Sequence, residues 1–503
     1  MTTIDLMSTT GILLAMLPEL LLTGASLVAL IATAYRHRTA ADSRFVGLIS
    51  LSGVAVAAAG LVALWGMGAT PLGGNHMITL DGFRFAGLAL ILLATAGTIM
   101  ISLGYLEREG ITAPEYYPLV LFAAIGMMFL AGAADLIVLF VGLEVMSIAV
   151  YVLTAFNRGS IFSSEAGLKY FLIGAFASAF LLYGIALLYG ASGSTDLATI
   201  GMQLRGAPLS FMATAGLALF LVGMAFKIAA VPFHMWAPDA YDGAPTPVTA
   251  FMATGVKAAA FLALTRVLFE SFGQHTTAWV DAIGLLAVLT MVAGNLVALA
   301  QRSIKRMLAY SSVAHAGYLL AALWTGPRDG GAPILLYLTA YVFTTIATFG
   351  ILGLVGRDGE REVTLDSLAG LGKRQPWLAV ALSVCMLSLL GFPGTLGFIG
   401  KWAILAAIVD QHQALLAVVV VLTSLVSAGY YLPVIMAAWM KPEPVVAVPA
   451  VAFASRTALA AIAVATVVIV ALGVWPAPVL EAAIRGAQSV SGSAASLVGV
   501  AIP

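Results

Sequence analysis

Charged side chains are scarce in this sequence: they make up 9% of its 503 residues, whereas hydrophobic residues make up 61%. A soluble domain carries about 25% charged residues. Most of the chain is therefore expected to face lipid or other apolar helices, which predicts an all-α polytopic membrane protein. Basic and acidic residues number 23 each, so no bulk attraction to nucleic acid is indicated.

Cysteine is nearly absent, since Cys385 is the only one. A single thiol excludes a disulfide within the chain, a thiolate-held iron–sulfur cluster and a CxxCH haem site. The sequence also lacks GxSxG, HExxH, P-loop and dinucleotide-binding motifs, so nothing indicates a nucleophilic enzyme. No cofactor or metal site is expected in this chain, and any redox cofactor would belong to a partner.

Long apolar runs predict about fourteen transmembrane helices, because about 20 helical residues cross a bilayer. The first run has no basic stretch before it and is too long for a signal-peptide core, so we expect it to be retained. The segments between runs are too short for a soluble domain. The predicted spans are 11–35, 45–67, 82–105, 114–132, 134–156, 164–190, 209–236, 245–270, 277–300, 303–324, 332–356, 376–410, 412–439 and 455–474.

The basic residues favour one orientation, with both termini on the outer, periplasmic side. In this topology the outer segments hold Arg84, Arg205, Arg328 and Arg485. The inner loops hold more than three times as many, and basic residues accumulate in cytoplasmic loops. The inner set is Arg36, Arg38, Arg44, Arg108, Arg158, Arg302, Lys305, Arg306, Arg357, Arg361, Lys373, Arg374, Lys441 and Arg456.

Four ionisable residues interrupt the spans at similar depth. Glu144 and Lys227 each lie nine residues from the nearer end of their span, about 14 Å into the bilayer. Lys257 lies about 18 Å from the inner end of its span, and Lys401 is the fourth. A lysine at the bilayer centre costs about 2.5–3.5 kcal/mol on insertion scales, so these charges are expected to have a function.

Two spans are expected to be broken beside these lysines. Pro232 follows Lys227 by five residues, and the run 376–410 contains "LLGFPGTLGFIGKW" around Lys401. That run would be about 52 Å long as a straight helix, too long for a bilayer. Breaks in corresponding positions indicate two inverted five-helix repeats with broken helices seven and twelve. The predicted segments are 1–112 (three N-terminal helices), 113–272 (first repeat, helices four to eight), 273–440 (second repeat, helices nine to thirteen) and 441–503 (C-terminal helix and tail).

The four midplane charges together predict a proton relay. Desolvation weakens the hold of a lysine on its proton, so such a group can load and release one, and a nearby carboxylate tunes the loading. For Glu144 and Lys227, the alternative is an ion pair that only fixes helix packing. That alternative does not explain Lys257 and Lys401, for which no carboxylate is evident at the same depth.

Further candidates lie nearer the helix ends. His234 titrates near neutral pH and could load the relay from the inner side, although a polar helix-end residue is the alternative. Lys305 could take part or could be a positive-inside anchor. Serine hydroxyls commonly bond their own backbone, which is the alternative to a water wire in span ten. The candidate water-wire residues are Tyr310, Ser311, Ser312 and His315.

Other polar residues have structural interpretations. Lys169 is expected to snorkel and to pair with Glu165 one turn away. Asp239 and Asp242 are expected to order the loop before span eight. Glu19 lies in the first span without an evident partner.

One stretch carries a family resemblance. "KIAAVPFHMWAPDAYDGAPTPVTAFMATGVKAAAF", which includes Lys227 and Lys257, resembles the central signature of the antiporter-like membrane subunits of respiratory complex I. These subunits are related to Mrp-type cation/proton antiporters. The resemblance continues in "GNLVALAQRSIKRMLAYSSVAHAGY" and, with the fourteen-span layout, covers most of the chain. Two further stretches resemble the subunit N branch: "KYFLIGAFASAFLLYGIALLYG", and "GTLGFIGKW", whose Lys401 stands where the M subunit has a glutamate.

The resemblance implies roles for the candidate residues. Glu144 would pair with Lys227, Lys257 would be the central lysine, and Lys401 would pass the proton outward. His234 matches the family position between Lys227 and Lys257.

The implied function is that of a proton-translocating membrane subunit of NADH:quinone oxidoreductase in a bacterial inner membrane. NADH, FMN, iron–sulfur clusters and quinone would be bound by partner subunits, and no quinone site is expected in this chain. The expected neighbours are the antiporter-like M subunit, the small membrane subunits and lipids. Two alternatives stay open: a subunit of an Mrp-type cation/proton antiporter, and a structural spacer whose charges only hold helices together.

Overall fold

Helices dominate the computed structural model, which describes residues 3–4, 9–65, 68–69, 77–356, 363–442 and 455–491. Two short strands, β1 (Thr3–Ile4) and β2 (Gly68–Ala69), pair in parallel. The helices are α1 (Thr9–Ala15), α2 (Leu17–Tyr35), α3 (Ala40–Leu64), α4 (Gly82–Arg108), α5 (Tyr116–Gly132), α6 (Leu136–Thr154), α7 (Ile161–Ser192), α8 (Leu197–Gln203), α9 (Phe211–Lys227), α10 (Ala237–Gly243), α11 (Thr246–Phe251), α12 (Lys257–Glu270), α13 (Val280–Leu299), α14 (Ile304–Trp324), α15 (Gly326–Asp329), α16 (Gly331–Val355), α17 (Leu371–Arg374), α18 (Pro376–Leu390), α19 (Leu396–Asp410), α20 (Ala414–Met440), α21 (Arg456–Val474) and α22 (Ala477–Ser491).

The described residues form the predicted set of helical passes. Eleven helical segments are long and apolar enough to cross a membrane, and the shorter apolar helices Tyr116–Gly132, Phe211–Lys227 and Pro376–Leu390 add three more. These segments correspond to the fourteen predicted spans, so the fold-class prediction is confirmed. Two features were not predicted: the small strand pair, and α22, which follows the last span. The division into two repeats stays a prediction.

Each of the three predicted midplane lysines lies beside an irregularity in its helix. Lys227 is the last residue of α9, and the chain resumes as α10 at Ala237. Lys257 directly follows a π-helical turn, Met252–Val256. Lys401 lies in α19, shortly after the predicted break between α18 and α19. Irregular backbone in a membrane needs protein or water to satisfy it, so these breaks indicate the polar part of the bundle.

Side-chain caps set the starts of three helices that carry charged residues. Asp135 caps α6 through its carboxylate. The Ser303 hydroxyl accepts from the Arg306 amide at the start of α14, and the Asp81 carboxylate accepts from the Arg84 amide at the start of α4. Each cap satisfies a backbone amide that the helix itself leaves unpaired.

The helical segment Thr246–Glu270, which contains Lys257, lies at the centre of the bundle. In its most apolar 18-residue stretch every residue is buried, and in that of α14 89% of the residues are buried. In α7 and α21 the corresponding share is 33%. Small residues let neighbouring helices approach closely, as is usual in membranes. A Cβ on Gly126 of α5 would lie 2.4 Å from the Met146 nitrogen of α6, and one on Gly294 of α13 would lie 2.6 Å from the Ala314 nitrogen of α14.

Candidate functional site

Lys227 is held by a hydroxyl on another helix. Its side chain is 4% exposed, and its Nζ donates to Ser147 Oγ on α6 at 2.7 Å. The same ammonium lies 5.5 Å from the Tyr151 ring centroid and 5.6 Å from that of Tyr170. Aromatic faces attract a cation, so a polar and aromatic shell replaces water around this charge.

Glu144 and Lys227 do not touch each other in this structure, and their functional pairing stays a prediction. Both residues are described, and no ion pair joins them. The Glu144 carboxylate instead accepts a hydrogen bond from Ser178 Oγ on α7 at 2.5 Å. Because Ser178 and Ser147 each engage one of the charged groups, the two charges stay near each other but separate.

Lys257 is also partnered by a hydroxyl. Its Nζ donates to both the backbone oxygen and Oγ of Ser312 on α14. Tyr341 of α16 donates its hydroxyl to Ser312 Oγ at 2.8 Å, and the Tyr341 ring lies 5.5 Å from the ammonium. With Lys257 only 3% exposed, this serine and tyrosine supply its polar surroundings.

His315 contacts two tyrosine hydroxyl groups from its place on α14. Its Nδ1 lies 2.5 Å from the Tyr337 hydroxyl and its Nε2 lies 3.0 Å from the Tyr431 hydroxyl. Tyr431 in turn hydrogen-bonds Ser311. The predicted water-wire residues Ser311 and His315 therefore share one buried network with tyrosines from α16 and α20 that were not predicted. Ser312 belongs to the neighbouring Lys257–Tyr341 group, and the ring centroids of His315 and Tyr341 lie 5.0 Å apart.

The Lys401 side chain reaches from α19 to the end of α18, on the other side of the break. Its Nζ donates to the Leu390 backbone oxygen at 2.9 Å and to Ser424 Oγ at 2.8 Å, and it lies 4.7 Å from the Tyr318 ring. Gly391 has φ +87°, and a Cβ there would lie 2.7 Å from Lys401 Cδ. A residue larger than glycine at this turn would thus displace the lysine.

An ionic cluster lies at the helix ends that the predicted orientation places on the inner side. Lys169 contacts Glu165 at 2.6 Å, as predicted, and also Asp239 at 2.9 Å, while Arg306 contacts Asp239 at 2.8 Å. Burial raises the pKa of the Asp239 carboxyl, but hydrogen bonds and charge from Lys169 and Arg306 outweigh it and hold the pKa below its usual value. Asp239 thus links α7, α10 and α14 as an anion, consistent with its predicted structural role.

A cavity of about 580 Å³ lies beside this cluster. Lys305 lines it, is 5% exposed, and donates to the Ala244 oxygen at 2.6 Å. Asp242 accepts from Ser303 at 3.0 Å. Polar groups from α10 and α14 therefore surround this cavity at the Thr246 end of the helical segment that contains Lys257.

His234 and Tyr310 lie apart from these hydrogen-bonded networks. Both are half-buried, and their ring centroids are 6.4 Å apart. The structure brings them near each other, His234 on the stretch between α9 and α10 and Tyr310 on α14, but no hydrogen bond joins these two described residues.

A second charged cluster was not predicted from the sequence. Arg266 on α12 donates to both carboxylate oxygens of Asp81, at 2.7 and 3.0 Å, and to Glu270 at 2.6 Å. Burial raises the pKa of Asp81, but the Arg266 guanidinium outweighs it and holds the pKa below its usual value. The spacing of Arg266 and Glu270, one helical turn apart in an apolar span, was the available sequence signal.

The part of the chain that the structure describes contains no set of metal ligands. No group of three or more His, Cys, Asp or Glu side chains there could hold a metal ion, and Cys385 is buried. What the site offers is a series of amines, hydroxyls and one imidazole, which are groups that can bind and pass protons.

Comparisons with known proteins identify the family of the chain. The NADH:quinone oxidoreductase/Mrp antiporter TM family matches residues 133–427. The chain is 43% identical to NADH-quinone oxidoreductase subunit N of Gemmatimonas aurantiaca, over 97% of this chain and 96% of that protein. It resembles a chain of respiratory complex I from Thermus thermophilus with 38% identity, a TM-score of 0.77, and coverage of 93% of this chain and 100% of that one. A chain of the Mrp complex from Dietzia shares the fold at 23% identity and TM-score 0.81, over 96% and 98% of the two chains.

Proposed function

Since this chain belongs to the subunit N family of NADH-quinone oxidoreductase, we propose that it translocates protons through its buried Glu and Lys residues, driven by redox chemistry on partner subunits. One observation carries the proposal. Lys227, Lys257 and Lys401 are each buried in the bundle, and each donates to a serine hydroxyl on a different helix. A buried lysine without a carboxylate contact is costly in a membrane unless it has a function.

The relay begins at Glu144 and Lys227. A change of charge there alters the electrostatic field at Lys257, since charges interact strongly in a low-dielectric interior. A proton released from Lys257 then moves through water and the hydroxyl groups around His315 to Lys401. The hydrogen bonds from Lys257 to Ser312 and from His315 to Tyr431 support this route.

The energy must come from outside this chain. Moving one charge costs about 2.3 kcal/mol per 100 mV of membrane potential, and nothing in the sequence indicates a redox centre. With one cysteine, the chain cannot itself ligate a four-thiolate iron–sulfur cluster. NADH, FMN, iron–sulfur clusters and quinone are therefore assigned to partner subunits, and the M subunit and the small membrane subunits are the proposed neighbours in the membrane.

The proposed direction follows the distribution of basic residues. In this orientation both termini would lie on the periplasmic side. The cavity lined by Lys305 and Asp239 would then open toward the cytoplasm. Protons would enter near this cavity and leave beyond Lys401. The cavity's polar lining supports entry of water on this side.

The test is a Lys227→Ala variant of the complete complex in membrane vesicles. NADH-driven quinone reduction and vesicle acidification are both measured, and assembly is checked on native gels. Lys441→Ala is the matched control, because Lys441 pairs with Asp366 at an exposed inner site. We expect an assembled complex in which turnover and pumping fall together.

Other results would reject the proposal. Full activity of both kinds would exclude Lys227 from the relay, and failure to assemble would favour the structural-spacer alternative. Purification without peripheral redox subunits, together with a sodium-dependent growth defect, would favour an Mrp-type antiporter.

A further inference from the structure

Ser178 stands between the two charged groups of the first relay site. It lies on α7 and donates to Glu144 Oε1 at 2.5 Å. A serine hydroxyl has one hydrogen and two lone pairs. Because its hydrogen is engaged by Glu144, Ser178 can only accept from any further neighbour.

The Lys227 ammonium has more hydrogen-bond donors than the one that Ser147 engages. An ammonium has three hydrogens, and Ser147 accepts one of them at 2.7 Å. The Tyr151 and Tyr170 rings lie 5.5 and 5.6 Å from the ammonium, beyond hydrogen-bond distance. A small polar acceptor beside Lys227 would therefore find a free donor.

A cavity lies between Lys227 and Ser178. Its volume is about 10 Å³, and Lys227, Ser178 and Tyr151 line it. A Cβ on Gly174 would lie 2.0 Å from the Tyr151 hydroxyl oxygen, so this tyrosine can reach the cavity wall only because residue 174 is glycine. A buried water needs about 10–15 Å³ and two to four polar partners, and this cavity offers three.

We propose that one ordered water occupies this cavity, accepts a hydrogen bond from Lys227 and donates one to Ser178. Glu144 and Lys227 then exchange a proton through Ser178 without touching each other. Ser178 is then a proton-relay residue of the first site. The two charged groups exchange the proton while they are separated, without forming an ion pair.

The transfer balances within these four groups. An N–H bond of the Lys227 ammonium breaks as the water oxygen gains that proton. The water passes one of its own protons to Ser178 Oγ, and the original Ser178 proton moves to Glu144 Oε1. The result is a neutral amine and a neutral carboxylic acid, with the water and the serine restored. The step removes two charges from a low-dielectric site, which lowers their desolvation cost.

This inference rests on the proposed function, and its test uses the complete complex in vesicles. Ser178→Ala removes the hydroxyl, Ser178→Thr keeps it, and Ala177→Val fills the cavity, which Ala177 lines. Ser164→Ala is the control, since Ser164 is an exposed serine of the same helix that bonds the Ser160 backbone oxygen. Acidification driven by NADH is measured for each assembled variant, with Lys227→Ala alongside.

We expect Ser178→Ala and Ala177→Val to lower the pumping rate about tenfold or more, in line with the loss of a proton-transfer group. Ser164→Ala should pump like the unmodified complex, and Ser178→Thr should pump faster than Ser178→Ala, a result that loss of packing would not produce. A high-resolution density map of the complex should show one water between Lys227 Nζ and Ser178 Oγ.

The opposite results would overturn the inference. Normal pumping by both Ser178→Ala and Ala177→Val, or direct contact of Lys227 with Glu144 in the map, would remove the water relay. If Lys227→Ala alone then lost pumping, the proposed function would stand without this step. If Lys227→Ala also pumped normally, the proposed function itself would fall. Should Ser178→Ala not assemble, Ala177→Val decides the matter with Ser178 in place.

Discussion

Arg84 on α4 donates to Glu19 on α2 at 2.7 Å, and the two side chains are only 2% and 1% exposed. The same guanidinium also donates to the Ala15 and Thr79 backbone oxygens. The pair therefore joins α2 to α4, and the Ala15 contact adds the end of α1. Glu19, which had no evident partner in the sequence, is thus an anchoring residue.

Removing one member of this pair should destabilise the chain. A buried charge left unpaired costs about 3–5 kcal/mol, so Glu19→Ala should lower the melting temperature of the assembled complex or prevent assembly. Native gels and thermal unfolding of the purified complex measure this effect. Glu481→Ala is the control, because Glu481 is 69% exposed and pairs only with Arg485 at 3.7 Å among the described residues.

Exposed substitutions of the control kind usually change stability by less than about 0.5 kcal/mol. If Glu19→Ala and Glu481→Ala melted at the same temperature, the Glu19–Arg84 pair would not be an anchor. A double variant, Glu19→Leu with Arg84→Met, should recover much of the lost stability, because apolar replacement of a whole buried pair is often tolerated.

Lys257→Met should abolish the proton-carrying function while keeping the helix. Methionine is similar in length to lysine, favours helices and has no proton to transfer. We expect vesicle acidification to fall at least about tenfold with the complex assembled. Lys441→Met, at the exposed pair with Asp366, should pump normally. Equal pumping by the two variants would exclude Lys257 from the relay.

The course of the helices could be predicted because lipid imposes simple requirements. A membrane span needs about 20 apolar residues, and proline or clustered glycine interrupts a helix. These rules located the break after Lys227 and the break before Lys401. They also indicated that Glu144, Lys227, Lys257 and Lys401 are unusual residues for their positions.

The partners of these residues could not be predicted in the same way. A partner across the bundle depends on how each helix is rotated and which helices are neighbours. The three helices meeting at Arg84, Ala15 and Glu19, and the Arg266–Asp81 contact across 185 residues of sequence, depend on such packing. The same reason explains why Ser178 was not predicted as the partner of Glu144, where a simple ion pair with Lys227 was expected.

Tyr431→Phe should weaken the connection between Lys257 and Lys401. The variant keeps the ring and removes the hydroxyl that bonds His315 Nε2 at 3.0 Å and also Ser311. An unsatisfied buried polar group costs about 1–3 kcal/mol of stability. The variant also removes a hydroxyl from the proposed proton route, so pumping should slow even where the complex assembles. Tyr337→Phe removes the other hydroxyl partner of His315 and should act in the same direction.

Tyr183→Phe is the matched control for these tyrosines, because Tyr183 is 61% exposed on α7. The measurement is the rate of NADH-driven acidification at equal amounts of assembled complex. If Tyr431→Phe and Tyr183→Phe pumped at equal rates, the hydroxyl network around His315 would not carry protons.

Asp239→Asn should loosen the inner ionic cluster by an amount that does not vary between pH 5 and pH 8. The folded-state pKa of Asp239 lies below its usual value because Lys169 and Arg306 outweigh the effect of burial. A group with a lowered folded-state pKa stabilises the fold above its unfolded-state pKa, and that stability is lost only as the pH falls through the folded-state pKa. Throughout the range from pH 5 to pH 8 the carboxylate is therefore charged, and each partly exposed contact is worth about 0.2–1 kcal/mol.

The melting temperature of the complex, compared with Asp366→Asn as an exposed control, measures the loss of stability. A difference that grew or shrank within this range would mean that the Asp239 carboxyl titrates there, which would contradict its pairing with two cations.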